Sequence, residues 1–264
     1  MKKTFRIFNV FFILCVFLVI PFSAFGEGIR DTKHNLSGSL SKWPAPLDNK
    51  VKAVYEPQIC IFCHTPHNAN PAYPLWNHDQ SAVQTYTVYW SETLQSYSET
   101  ASHAWKVDGS SKLCLSCHDG TVAVGSVESR WDEILMASSD CIDASGKLID
   151  GLECSGYIGT DLSGGHPISI IYDNDLVSKR NNADITNRCW LNPPPTSDPD
   201  VKLSPTQGNH LGVQCSSCHN PHTNKSLETK NGKLWPPLWQ KTSYNDVCYV
   251  CHQEGCGEPS VIWP

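Results

Sequence analysis

The sequence predicts a chain of mostly irregular coil, with short helices at one recurring motif, minor β structure and no conventional hydrophobic core. Three observations predict this. Gly, Pro, Asn, Ser and Thr are abundant, and few windows sustain a helical or strand period. The pattern Cys-x-x-Cys-His occurs four times: Cys60-Ile-Phe-Cys63-His64, Cys114-Leu-Ser-Cys117-His118, Cys215-Ser-Ser-Cys218-His219 and Cys248-Tyr-Val-Cys251-His252. The chain is also short for what four such motifs would hold.

The motif has one dominant chemical meaning. Two thiols one backbone turn apart match the vinyl groups of a haem and add across them as thioethers. The histidine that follows sits beneath the iron as its proximal axial ligand. A zinc half-site or a redox dithiol would explain one Cys-x-x-Cys, but not four copies each followed by histidine. The expected cofactors are therefore four haem c. Cys60, Cys63, Cys114, Cys117, Cys215, Cys218, Cys248 and Cys251 attach them, and His64, His118, His219 and His252 are the proximal ligands. The chain is expected to wrap a stacked haem array, with its nine Trp and nine Tyr packed on the macrocycles.

The N-terminus agrees with that chemistry. Lys2, Lys3 and Arg6 precede an apolar run over 10–20, and Ala24-Phe25-Gly26 offers small residues at a cleavage site. The expected organisation is a signal peptide over 1–26 and a single tetrahaem domain over 27–264, exported to the periplasm or beyond the cell. The apolar run is short for a span and is interrupted by Pro21 and Ser23, and no membrane span is expected in the mature chain. Losing three of the 20 basic side chains leaves 17 against 26 acidic ones, a formal charge of −9. That balance argues against nucleic acid as a partner. Other redox proteins, or further copies of the chain, are the expected partners.

Four cysteines outside the motifs and the leader remain: Cys141, Cys154, Cys189 and Cys256. In an exported chain they suggest two disulfides. Cys141 and Cys154 flank "IDASGKLIDGLE", which reads as a hairpin turning at Ser145-Gly146. That pairing leaves Cys189 with Cys256.

The remaining histidines address the second axial position. Beyond the four proximal residues the chain has seven, and Met136 is its only methionine outside the leader. Ligation by two histidines throughout, with low reduction potentials, is the expectation. His67 follows His64 by three residues, so the macrocycle bars it from the opposite face of the same haem. It serves another iron or none. The arrangement recurs at His219 and His222. The chain is duplicated more widely: Pro74-Leu75-Trp76 follows the first His-x-Pro-His and Pro237-Leu238-Trp239 the second. Haem pairs are accordingly expected from 60–118 and 215–252, with a loop at 192–200. His166, in "GTDLSGGHPISIIYD", follows two glycines whose bare backbone can approach a flat ring, and reads as a ligand ahead of a short strand. His34, in polar "DTKHNLSGS", is open on pattern alone between ligand and no role.

Together "KHNLS", "CIFCHTPHNANPAYPLWNH", "SKLCLSCHDGTVAVGS", "GTDLSGGHPISIIYD" and "VQCSSCHNPH" resemble the tetrahaem members of the doubled-CxxCH c-type cytochromes. These resemble extracellular cytochromes of metal-reducing and related anaerobic bacteria, some of which polymerise into conducting filaments. The resemblance covers most of the mature chain but not 126–158 or 180–208. It implies haems stacked in a continuous chain, with distal ligands at His34, His67, His166 and His222. His210 is left as a competitor, and His78 and His103 as haem-packing or propionate partners. The function it implies is electron transfer in extracellular transport, by a polymerised filament or by a soluble periplasmic shuttle, and not an enzyme. A multihaem oxidoreductase with one open haem is the other class, but every motif here ends in histidine and ligands are in surplus. For a filament, the expected joint is end to end, with His34 of one chain ligating a haem of the next.

Overall fold

Three of the four motifs end or form short helices. The computed structural model describes residues 28–69, 75–91, 94, 106–151, 154, 156–183, 190–223, 228–230, 233–235 and 238–253. Helix α1 spans Gly109–His118 and carries the second motif, α3 spans Cys215–Cys218 and is the third, and α4 spans Tyr244–Cys251 and carries the fourth. The first motif forms only a 3-10 turn at Cys60–Phe62. The leader over 1–26, His103, Cys189 and Cys256 lie outside the described residues, and with them the expected second disulfide.

The rest is coil with minor β structure, as expected. Strands β1 (Thr87–Val88) and β2 (Asp161–Leu162) pair in parallel. Strands β3 (Ile170–Ile171), β4 (Ser204–Thr206) and β5 (His210–Val213) form an antiparallel sheet in the order β3-β5-β4. Strands β6 (Glu228–Lys230) and β7 (Lys233–Trp235) form a separate antiparallel pair. The strand expected in "ISIIYD" shrinks to the two residues of β3. Asp173 ends it by capping helix α2 (Asn174–Asn182), accepting the Leu176 N–H at 2.8 Å. Residues 192–200 form a loop.

The expected hairpin is present. Asp143 N–H reaches the Lys147 carbonyl at 2.9 Å, Ile142 bridges Leu148, and Gly146 takes φ +79°, which glycine adopts without a Cβ penalty. Cys141 and Cys154 are disulfide-bonded across it.

The internal duplication extends to the backbone. His64 bridges Trp76, and His219 bridges Trp239. Thr65 N–H bonds the Leu75 carbonyl at 3.0 Å, and Asn220 N–H bonds the Leu238 carbonyl at 2.7 Å. Leu75 and Leu238 both stand in the left-handed region, at φ 65° and 57°.

Among the described residues, buried apolar side chains divide into four clusters, and each packs against the second cysteine of a different motif. Ile61 and Phe62 pack with Cys63, Ile142 and Leu148 with Cys117, Trp239 and Val247 with Cys218, and Tyr172 and Val213 with Cys251. Local burial is thus arranged around the attachment points rather than in one core.

A buried polar hub docks α1 on α3. Gln214 Oε1 accepts from Ser111 N–H at 3.1 Å and from Ser169 Oγ at 3.3 Å, and Ser111 Oγ accepts from Cys215 N–H at 3.0 Å. Asp108 precedes α1 and accepts from Thr206 Oγ1 and from Gln207 N–H, each at 2.7 Å. Every one of these buried groups finds a partner, which sets the second and third motifs side by side.

Candidate functional site

Fixing α1 on α3 brings their thiols together. Cys114 hydrogen-bonds Cys215, which holds the Cys114 thiol above its ordinary value and the Cys215 thiol below it. The other contacts extend this into a row. Cys63 lies within electrostatic range of Cys117, and Cys218 within range of Cys251. Motif one therefore adjoins motif two, two adjoins three, and three adjoins four.

The eight motif cysteines are unbridged, Cys60 exposed and the other seven half-buried. Burial pushes Cys63, Cys117 and Cys218 up to about 12, and Cys251 up to about 11. A thiolate at these positions would be costly, whereas an uncharged thioether is not.

The histidines form pairs from distant parts of the chain. Ring centres of His34 and His118 are 5.9 Å apart, those of His64 and His222 6.1 Å, and those of His166 and His252 6.2 Å. The planes meet at 53°, 16° and 81° respectively. Each pair joins a motif histidine to one of the expected distal ligands.

Two imidazoles bonded to one metal at about 2 Å each have ring centres about 6 Å apart. The three separations match that distance. Among the described residues no group of three or more His, Cys, Asp and Glu side chains is arranged to hold a metal ion unaided. The pairs suit an iron whose remaining ligands come from a macrocycle.

Burial keeps His34 and His252 neutral, with a lone pair to donate. His34 is held down to about 3 by burial, then by the imidazoles of His118, His222 and His219. His252 is held down to about 4 by burial, then by His166 and Arg180. Tautomers are fixed at two more. His118 Nδ1–H donates to the Gly156 carbonyl, and His166 Nδ1–H to the Pro167 carbonyl at 2.8 Å. A carbonyl only accepts, so Nδ1 carries the proton and Nε2 is free for a metal.

His34 stands beside His118 of its own chain. His67 lies exposed in the loop after the first motif, with its carbonyl accepting from Thr65 Oγ1 at 2.6 Å, and is in none of the three pairs. His219 stacks on Trp239, ring centres 4.4 Å apart. His210 is exposed at the end of β5 and joins none of the pairs. His78 is fully buried, with Nδ1 on the Asp79 carbonyl at 2.7 Å and Nε2 on Cys117 Sγ at 3.2 Å.

Three functional contacts were not legible in the sequence. The Gln214 hub and the His78–Cys117 contact are tertiary and leave no local pattern. The Gly156 carbonyl lies in a segment outside the family resemblance. Its one sequence signal was the cysteine two residues earlier.

A family model described as the doubled CXXCH motif matches residues 210–256, which contain the third and fourth motifs and His222. The motif is that of covalently bound haem c, and it points to haem-binding electron transfer. No curated protein is significantly similar to the chain.

Proposed function

We propose that the chain binds four haem c and carries electrons along them, each iron held between two histidines. The three imidazole pairs, at 5.9, 6.1 and 6.2 Å, are the observation that supports this most strongly. In this reading His64 pairs with His222, His118 with His34, and His252 with His166. His219 takes His67: if His222 crosses from the third motif to the first, His67 crosses back by the same spacing. The bound haem supplies a reversible one-electron change at iron, at a low potential when both axial ligands are histidine.

The chain's own part is placement. The Gln214 hub and the row of adjoining thiols keep successive motifs close, which favours transfer between neighbours over chemistry at any one site. Two histidines per iron leave no open position for a substrate, so the chain acts as a carrier and not an enzyme. Its place is outside the cytoplasmic membrane, among extracellular redox proteins. Among the described residues no helix is long and apolar enough to cross a membrane. Exposed Leu47, Trp131 and Leu135 offer apolar contact area to other copies or to redox partners, which suits a polymer as well as a shuttle.

The test is the exported protein's intact mass together with the His67→Ala variant. Four haem masses above the polypeptide are expected in both, with one iron turning high-spin and binding carbon monoxide in the variant. Three haems or fewer in the mature protein would reject the reading. A variant that stays wholly low-spin would remove His67 as a ligand.

A further inference from the structure

The segment 126–158, which the family resemblance leaves uncovered, closes around the second motif. Ile142 and Leu148 of its hairpin pack with Val124 against Leu36 and Cys117. The His118 carbonyl accepts from Ile158 N–H at 2.8 Å and from Gly159 N–H at 3.2 Å. The Gly156 carbonyl accepts from His118 Nδ1–H. Gly120, at φ +71°, completes the fit: a Cβ there would lie 2.6 Å from the Leu148 carbonyl oxygen and 2.6 Å from the Tyr157 ring.

We infer that this disulfide-closed segment positions the Gly156 carbonyl on His118 and thereby lowers the reduction potential of the second haem. The inference rests on the reading that His118 ligates an iron. An acceptor on Nδ1–H makes the imidazole a stronger electron donor through Nε2, which favours ferric over ferrous iron. The disulfide matters because the acceptor is remote. His166 donates to Pro167, its own neighbour, and that contact travels with the ring. Gly156 is 38 residues from His118 and two beyond Cys154. The Cys141–Cys154 bond restricts the chain that carries it, and Cys154 N–H bonds the Gly151 carbonyl at 2.9 Å just before it.

The experiment is a potentiometric titration of the holoprotein and of its Cys141→Ser/Cys154→Ser variant. Haem load by mass and spin state by electron paramagnetic resonance are measured first, since a deficit there in the wild type would reject the haem reading and not this inference. One of the four redox components is expected to move to higher potential while the other three stay. It should be the component that His34→Met also displaces upward, because methionine in place of a histidine ligand raises the potential. If the double variant fails to mature, the native protein is treated with a water-soluble phosphine, reduction of the bond is verified by thiol alkylation, and the titration is repeated. Four unmoved components with the disulfide open would overturn the inference. So would an equal shift of all four, which reports general loosening.

Discussion

His64 and His222 stand 6.1 Å apart between ring centres with planes only 16° from parallel, although 158 residues separate them in the chain. Each lies in a His-x-Pro-His, and each His-x-Pro-His follows a motif. The pair therefore ties the two halves of the duplication together at the first motif.

Removing the distal member of this pair should leave the haem attached and change only its iron. His222→Ala is expected to keep the wild-type haem load, since the Cys60 and Cys63 thioethers are untouched. One iron should become high-spin and bind carbon monoxide when reduced. Loss of a whole haem, or an unchanged low-spin spectrum, would count against the pairing.

Ring orientation makes a separate prediction. Nearly parallel imidazoles, as at His64 and His222, split the two iron d orbitals that π-bond to them and give a rhombic low-spin signal. Nearly perpendicular ones, at 81° for His166 and His252, leave those orbitals close in energy and give a highly anisotropic signal. Frozen ferric protein should show both types by electron paramagnetic resonance. Replacing His166 should remove the anisotropic signal and leave the rhombic one.

The two left-handed leucines should respond oppositely to glycine. A non-glycine residue in this region costs about 1–2 kcal/mol. Leu75 is 55% exposed and has little burial to lose, so Leu75→Gly should gain about 1 kcal/mol. Leu238 is 8% exposed, and its burial is worth about 2–3 kcal/mol, so Leu238→Gly should be destabilising by about 1 kcal/mol. Thermal unfolding of the two variants reads the signs directly.

Acid should weaken one contact near the fourth motif. Burial acts to raise the Asp198 carboxyl, but the Lys241 ammonium at 2.9 Å and the N–H groups of Val201 and Asp200 outweigh it and hold the group below its usual 3.8. A carboxyl whose folded value is depressed contributes stability that is present above the unfolded value and lost as pH falls through the folded one. Lys241→Ala should therefore cost about 1 kcal/mol at pH 7, and wild type and variant should converge at pH values below the depressed carboxyl value. A constant gap across that range would mean that Lys241 acts by packing.

What was legible in the sequence was what is local in the chain. The motifs are set by covalent chemistry within five residues, the Ser145-Gly146 turn by glycine's freedom, and the duplication by repeated tripeptides. The partners of those motifs were legible only as candidates. His34 reaches His118 across 84 residues and His166 reaches His252 across 86, and no local pattern records such a choice. His34 shows the cost of reading locally: its polar neighbours suggested an outward segment, whereas Asn35 and Ser37 are fully buried in hydrogen bonds and turn the segment inward. The helix expected at the first motif shortened to a 3-10 turn at Cys60–Phe62.

The central claim is that every iron lies between two histidines. Its most direct test is spin quantitation of the fully oxidised holoprotein by electron paramagnetic resonance and near-infrared magnetic circular dichroism. Four low-spin irons per chain, all with the charge-transfer band of two-histidine ligation, is the predicted result. A high-spin iron, or a band from methionine ligation, would contradict it.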